Sequence, residues 1–417
     1  MADRRDHILL LAGIASLGLA IAPQAEGQET TSESSTIVIE QVQLNTVWSD
    51  IEVEVLDGAP EAISTSTAIG NAAAGALKSG DLHMQTDQTL YGNVAADNQI
   101  TGGSADSTVA TTTAYGNSST GGTWSGSNYY RAEQDAYGDV NAATTIDMFG
   151  GANVSSATTA IANVSVPEDE YGKNAAFQIQ NSNGSVSAET DADLCCNGHT
   201  ATYVTTAGAN AVTSVGATST NITGAVQTTA AGETVSGTTD VYQTYGSHIQ
   251  AATSTFGNSA TVQNEWGYAS LGREGSEVYQ ENSSAIDAQT YVTLDNWYGS
   301  ASSTAYGVGN SSLISNVGSD TGLYAIQNNF GDVYTSANFD GGASEGGQAI
   351  VNATSIGNAA TATLCNICGD ASLQGSTYQR NDAAISARGT ITHGGNGSIY
   401  GSATAVGNSA TYQSTGH

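Results

Sequence analysis

The sequence predicts an all-β protein: an elongated parallel β-solenoid (β-helix) of stacked repeats, preceded by a signal peptide. Three observations carry this reading. A Gly-Asn motif returns in phase along the chain, a Gln marker runs between its copies, and the segments between them are rich in β-branched residues without a helical apolar stripe. Leu, Ile, Val and Phe supply only 71 of the 417 residues, below the roughly 20% usual for a folded core. A narrow interior of small Ala, Thr and Val side chains between close sheets explains that shortage.

The Gly-Asn motif reads Gly70-Asn71 at its first copy and Gly116-Asn117 at its second. Later copies are Ala162-Asn163, Ala209-Asn210, Gly257-Asn258, Gly309-Asn310, Gly357-Asn358 and Gly407-Asn408. Successive Asn residues are 46, 46, 47, 48, 52, 48 and 50 positions apart. The second marker comprises Gln88, Gln134, Gln180, Gln227, Gln280, Gln327 and Gln379. The two halves of each repeat echo one another, since Tyr115-Gly116-Asn117 is followed by Tyr137-Gly138-Asp139 after 22 residues. That echo predicts a rung of about 22–26 residues, hence about 15 rungs and a rod of about 70 Å at the inter-strand spacing. Gly and Asn tolerate reversal of the chain, so the Gly-Asn copies are expected at turns, stacked on one corner, with the Gln residues forming a ladder.

Domain organisation follows from the two ends of the chain. Arg4 and Arg5 precede an apolar run from Ile8 to Ile21 and small residues at Ala22, Ala25 and Gly27. Residues 1–27 therefore read as a secretory signal peptide. Residues 28–60 read as a polar segment with capping strands, and 61–417 as the solenoid. The formal charge of −31, with 8 Lys+Arg against 39 Asp+Glu, excludes a nucleic-acid partner, because so few cations cannot neutralise a row of phosphates.

An exported, acidic chain with in-phase Gly-Asn and Gln markers resembles the D-type holdfast attachment (holdfast anchor) proteins of stalked alphaproteobacteria. The copies Ala68-Ile69-Gly70-Asn71-Ala72-Ala73 and Ala405-Val406-Gly407-Asn408-Ser409 carry the resemblance, which would cover residues 61–417. The 22-residue echo and polar ladders also look like curlin-type amyloid subunits. There Gly92-Asn93 and Gly138-Asp139 suit the curlin pair after Gln88 and Gln134, whereas Leu90 and Ala136 stand where that family has Gly. The holdfast resemblance implies a surface structural adhesin that ties an adhesive polysaccharide to the outer envelope, at the cell pole.

Candidate chemistry is sparse. Cys365 and Cys368 suit a local disulfide in an oxidising compartment. Cys195 and Cys196, beside His199, leave a vicinal disulfide, an interchain bridge and a weak metal site open. Separation along the solenoid excludes one site shared by all four thiols. Lys78, Arg131, Lys173, Arg273, Arg380 and Arg388 are scattered, which speaks against a β-helix polysaccharide lyase or hydrolase, and no catalytic, metal or cofactor residues are assigned. Tyr91, Tyr137 and Phe330 share one turn position and form a candidate column for stacking on sugar rings. The expected partners are an exopolysaccharide with amino-sugar positions, drawn by the acidic surface, other outer-membrane or surface anchor proteins, and a second copy end to end. A curlin-like fibre subunit of the extracellular matrix is the alternative role. Five extra residues near Trp266 and Arg273 and four near Cys365 favour a finite anchor over a self-templating fibre.

Overall fold

The computed structural model describes residues 34–342, 346–366 and 371–416. The expected signal peptide and Cys368 lie outside the described residues. The described chain is a solenoid in which every ladder is parallel. One coil is well shown by the strands Ser300–Val317, Thr321–Asn329 and Val333–Gly341. The chain then enters Gln348–Asn366, which pairs with Ser300–Val317 and begins the next coil. Each coil thus has one long strand facing two short strands laid end to end.

This corrects the expected rung. Gln134 reaches Gln88 across 46 residues and Gln280 reaches Gln227 across 53, so one coil is the whole long repeat. There are eight coils among the described residues, and the stack rises about 40 Å, not 70 Å. The 22-residue echo arises because the two halves of a repeat face each other within one coil. Asn117 sits on the long strand and donates across the interior to the Asp135 carbonyl at 3.0 Å, while Gln134 donates back to the Val164 carbonyl at 2.9 Å.

The N-terminal boundary also moves. Ser35–Gln43 and Val47–Val55 pair in register with Leu82–Leu90 and Val94–Gly102. They are the short strands of a regular first coil, not caps, and the solenoid begins there instead of at residue 61. Gln41 accepts from Gln88 at 2.8 Å as the first member of the Gln ladder.

The interior has two halves. Between the first part of the long strand and the second short strand lie Ile100, Ile146, Leu194, Val241 and Leu294, all fully buried. A zigzag of threonine hydroxyls runs beside them, Thr112–Thr144–Thr158–Thr190–Thr205–Thr239–Thr253–Thr290, with every link between 2.6 and 2.8 Å. Hydroxyls paired this way satisfy one another in a dry interior, so threonine fills space that leucine would otherwise occupy. The second half holds Leu82, Met84 and Tyr130 in early coils and Val262, Leu271 and Ile314 in later ones.

Extra residues are expelled without breaking the stack. Near Arg273 the first short strand splits into Ala269–Leu271 and Val278–Asn282, and both pieces keep register with the coils on either side. Gly272 and Gly275, with φ of 71° and 75°, turn the intervening residues outward, a conformation costly for residues with a Cβ. Pro167-Glu168-Asp169, by contrast, stays within the stack. It pairs in register with Gly121-Gly122-Thr123 inside the strand Val140–Ser182.

Candidate attachment surface

The Gly-Asn copies are not turns. They lie in the middle of the long strands, where the in-out alternation slips by one: Ala110, Thr112 and Ala114 point inward before Gly116, and Asn117 and Ser119 after it. Every coil slips at the same place, so the register between coils is kept and the long strands share one kink. Gly116 is required because an added Cβ would stand 2.5 Å from the Ala162 carbonyl oxygen of the next coil. The slip turns Asn inward, and each Asn donates to the Asn of the following coil at 2.7–2.9 Å, from Asn71 through to Asn408. This column is structural, as is the Gln column from Gln41 to Gln379, whose links are 2.7–2.8 Å.

The second echo lies between the two short strands, where the chain makes a tight step and runs on in the same direction along the long strand it faces. At Tyr137-Gly138-Asp139 an added Cβ on Gly138 would lie 2.0 Å from the Gly92 carbonyl oxygen, so glycine lets this turn sit close on the one before it. Asn93 and Asp139 side chains each accept the backbone N–H of the turn above, at 3.0 Å. Stacked turns carry the preceding side chain outward. Tyr91 and Tyr137 therefore lie face to face, centroids 5.2 Å apart and planes within 8°, while remaining 55% and 48% exposed. Phe330 occupies the same turn position, four coils beyond Tyr137, with the Arg380 guanidinium 5.4 Å from its ring centre. The structure brings the two tyrosines together and leaves Phe330 apart, because Asn183, Ala230 and Ser283 stand between.

Two aromatic groups escaped the sequence reading. Trp124 meets Tyr171 edge-on at 5.6 Å, and His83 stacks on Tyr129 at 4.6 Å with the Lys173 ammonium 5.6 Å from the Tyr129 ring. Their signal was available as offsets of about one long repeat. Tyr115 and Phe256, also aromatic beside Gly-Asn, are instead buried at the kink with Ile161 and Val308. Burial there raises the Tyr115 phenol above its ordinary value.

The outer face of the second short strands carries a band of carboxylates, set toward the strand ends away from the tyrosine turns. Asp147 stacks in register on Asp193, and Asp191 on Asp240. Partial burial, joined by the neighbouring Asp147 and Asp191 charges, raises the Asp193 carboxyl. Burial, joined by Asp191 and Glu189, does the same to Asp240. Parallel stacking thus concentrates negative charge that a single strand would disperse.

Among the described cysteines, the Cys195-Cys196 pair and Cys365 do not come together. Cys195 and Cys196 are half-buried free thiols with sulfurs 2.7 Å apart, and the Cys195 contact pushes Cys196 up to about 11. Cys365 is exposed at the end of a long strand. Among the described residues no three His, Cys, Asp or Glu are placed to hold a metal ion, and no helix is long and apolar enough to cross a membrane.

No curated protein and no solved structure matches the chain. The family model described as Holdfast attachment protein D matches residues 56–332. That span runs from the end of the first short-strand pair through the turn of Phe330, and so takes in both Tyr91 and Tyr137 and most of the carboxylate band. With well over half of its length matched, and with a surface role in holdfast attachment that follows, the chain belongs to the holdfast attachment protein D family.

Proposed function

We propose that the protein is a structural anchor of the outer envelope, located at the cell pole, that holds an adhesive polysaccharide through the tyrosine turns and the carboxylate band farther along the second short strands. The stacked, half-exposed Tyr91–Tyr137 pair carries this reading. Flat aromatic faces suit the apolar faces of sugar rings, and a row of carboxylates attracts the ammonium groups of amino sugars over about a Debye length. The role is binding, not turnover, and other surface proteins would hold the anchor in the envelope.

The test replaces Tyr91 and Tyr137 together by Ala and measures retention of the purified protein on partly deacetylated glycan. Retention should fall steeply in the variant, and in the wild type as salt rises or the amines are acetylated. Undiminished retention by the variant would remove the tyrosines from the mechanism. Indifference to salt and acetylation would reduce the charge to a solubility device.

A further inference from the structure

Both ends of the solenoid are open among the described residues. At one end the strands Ser35–Gln43, Val47–Val55 and Ala59–Ser79 each pair on one side only; at the other, Leu373–Asn381, Ile385–His393 and Ser398–Gly416 do the same. Unpaired strand edges invite a further strand. We propose that the C-terminal end of one molecule stacks on the N-terminal end of a second copy, continuing the solenoid in register into a head-to-tail filament.

The ladders give the two ends opposite and matching chemistry. Along the Gln column each amide donates toward the preceding coil, so Gln379 ends with a free Oε1 while Gln41 has an N–H left after donating to the Ala72 carbonyl. Along the Asn column the direction is reversed. Asn408 accepts from Asn358 and keeps its N–H groups, and Asn71 donates to Asn117 and keeps its Oδ1. Setting Gln379 against Gln41 of a second copy satisfies both columns at once.

Charge supports the same partner. The first coil, residues 35–79, carries Glu40, Asp50, Glu52, Glu54, Asp57 and Glu61 against Lys78 alone. The last coil, residues 373–416, carries Arg380 and Arg388 against Asp382 alone. Arg388 lies nine positions after Gln379 and Asp50 nine after Gln41, so the ladder register places Arg388 against Asp50 of the second copy. The apolar interior continues across the junction too, since Ile385 meets Val47 and Ile391 meets Val53, all partly exposed in cross-section in the single molecule.

Sedimentation equilibrium of the mature chain in low salt tests this without glycan, and therefore independently of the attachment role. Wild type should assemble with rising concentration. R388E and D50R, both on the outer face, should each weaken assembly about tenfold or more, and the double variant R388E/D50R should regain it. A monomeric wild type, or equal assembly by all three variants, would overturn the proposal. So would assembly that begins only once the residues before Ser34 are removed, which would make that segment the occupant of the N-terminal end.

Discussion

Replacing Asn163 tests what the Asn column contributes. Its Nδ2 donates to the Asn181 carbonyl at 3.0 Å and to Asn210 Oδ1 at 2.8 Å, and its Oδ1 accepts from Asn117 at 2.9 Å. The side chain is fully buried. Asn163→Ala deletes three hydrogen bonds worth about 1 kcal/mol each and leaves three buried partners unsatisfied, so the loss should be about 3–5 kcal/mol. Asn408 gives the control, because it sits at the open end and accepts only from Asn358; there the same change should cost about 1 kcal/mol or less. Asn163→Asp separates hydrogen bonding from shape. Ionised, the new carboxylate points an acceptor at the Asn181 carbonyl and the Asn210 Oδ1; protonated, it can donate to one of them. Its folded pKa must then lie above the ordinary carboxylate value, so the deficit of this variant relative to wild type should shrink as pH falls. Urea melts, with amide exchange of the neighbouring coils to catch local opening, measure all three. Equal losses for the Ala variants of Asn163 and Asn408, or an Asn163→Asp deficit independent of pH, would refute the reasoning.

Further predictions follow from single buried groups and from the surface. Asp169 is buried, and burial raises its carboxyl to about 6 despite the Thr123 hydroxyl at 3.0 Å. An acid with a raised folded pKa favours the fold at low pH and loses that stability as pH climbs from about 4 to about 6. Asp169→Asn should therefore stabilise the protein by about 1–3 kcal/mol at pH 7 and by much less at pH 4, read as the difference between two melts. Gln178 is fully buried between Ala132 and Ala225, and neither end of its amide meets a protein partner among the described residues. Gln178→Met, of similar shape, should raise Tm by a few degrees, corresponding to about 1–2 kcal/mol; a fall would mean the amide is satisfied in solution. Tyr91→Ala with Tyr137→Ala should shift the melt by less than about 1 kcal/mol, since both rings are half-exposed, and a larger loss would make them structural.

Much of the fold was legible because in-phase amides have one economical physical use. A buried Asn or Gln needs both donors and its acceptor met, and an identical residue one coil away meets them. The length of a coil was not legible. Tyr115-Gly116-Asn117 and Tyr137-Gly138-Asp139 look alike because both need glycine for close approach of the neighbouring coil. Spacing cannot say whether such sites stack or face one another, and here they face. The same ambiguity made Gly116-Asn117 look like a turn, when its Asn spans the interior. Tyr91 and Tyr137 were found from their turn position. Trp124–Tyr171 and the threonine zigzag were missed because their partners are visible only once the coil length is known. The first coil was missed for a related reason: Gln41 precedes the first Gly-Asn copy, so that coil looked like a cap.

The facing arrangement underlies the tyrosine pair, the carboxylate band and the match between the two ends, and one spectroscopic comparison tests it most directly. Spin labels at Asp147 and Asp193, outward and in register on adjacent coils, are placed in a background with the native cysteines replaced by Ser. A second sample carries labels at Asp147 and Tyr171, only 24 positions apart. A coil of the full repeat puts the first pair about 5 Å apart at the backbone and separates the second by tens of Å, the length of the long strand. Strong dipolar broadening for the Asp147/Asp193 pair with none for Asp147/Tyr171 is the predicted result; broadening for Asp147/Tyr171 without it for Asp147/Asp193 would contradict the account.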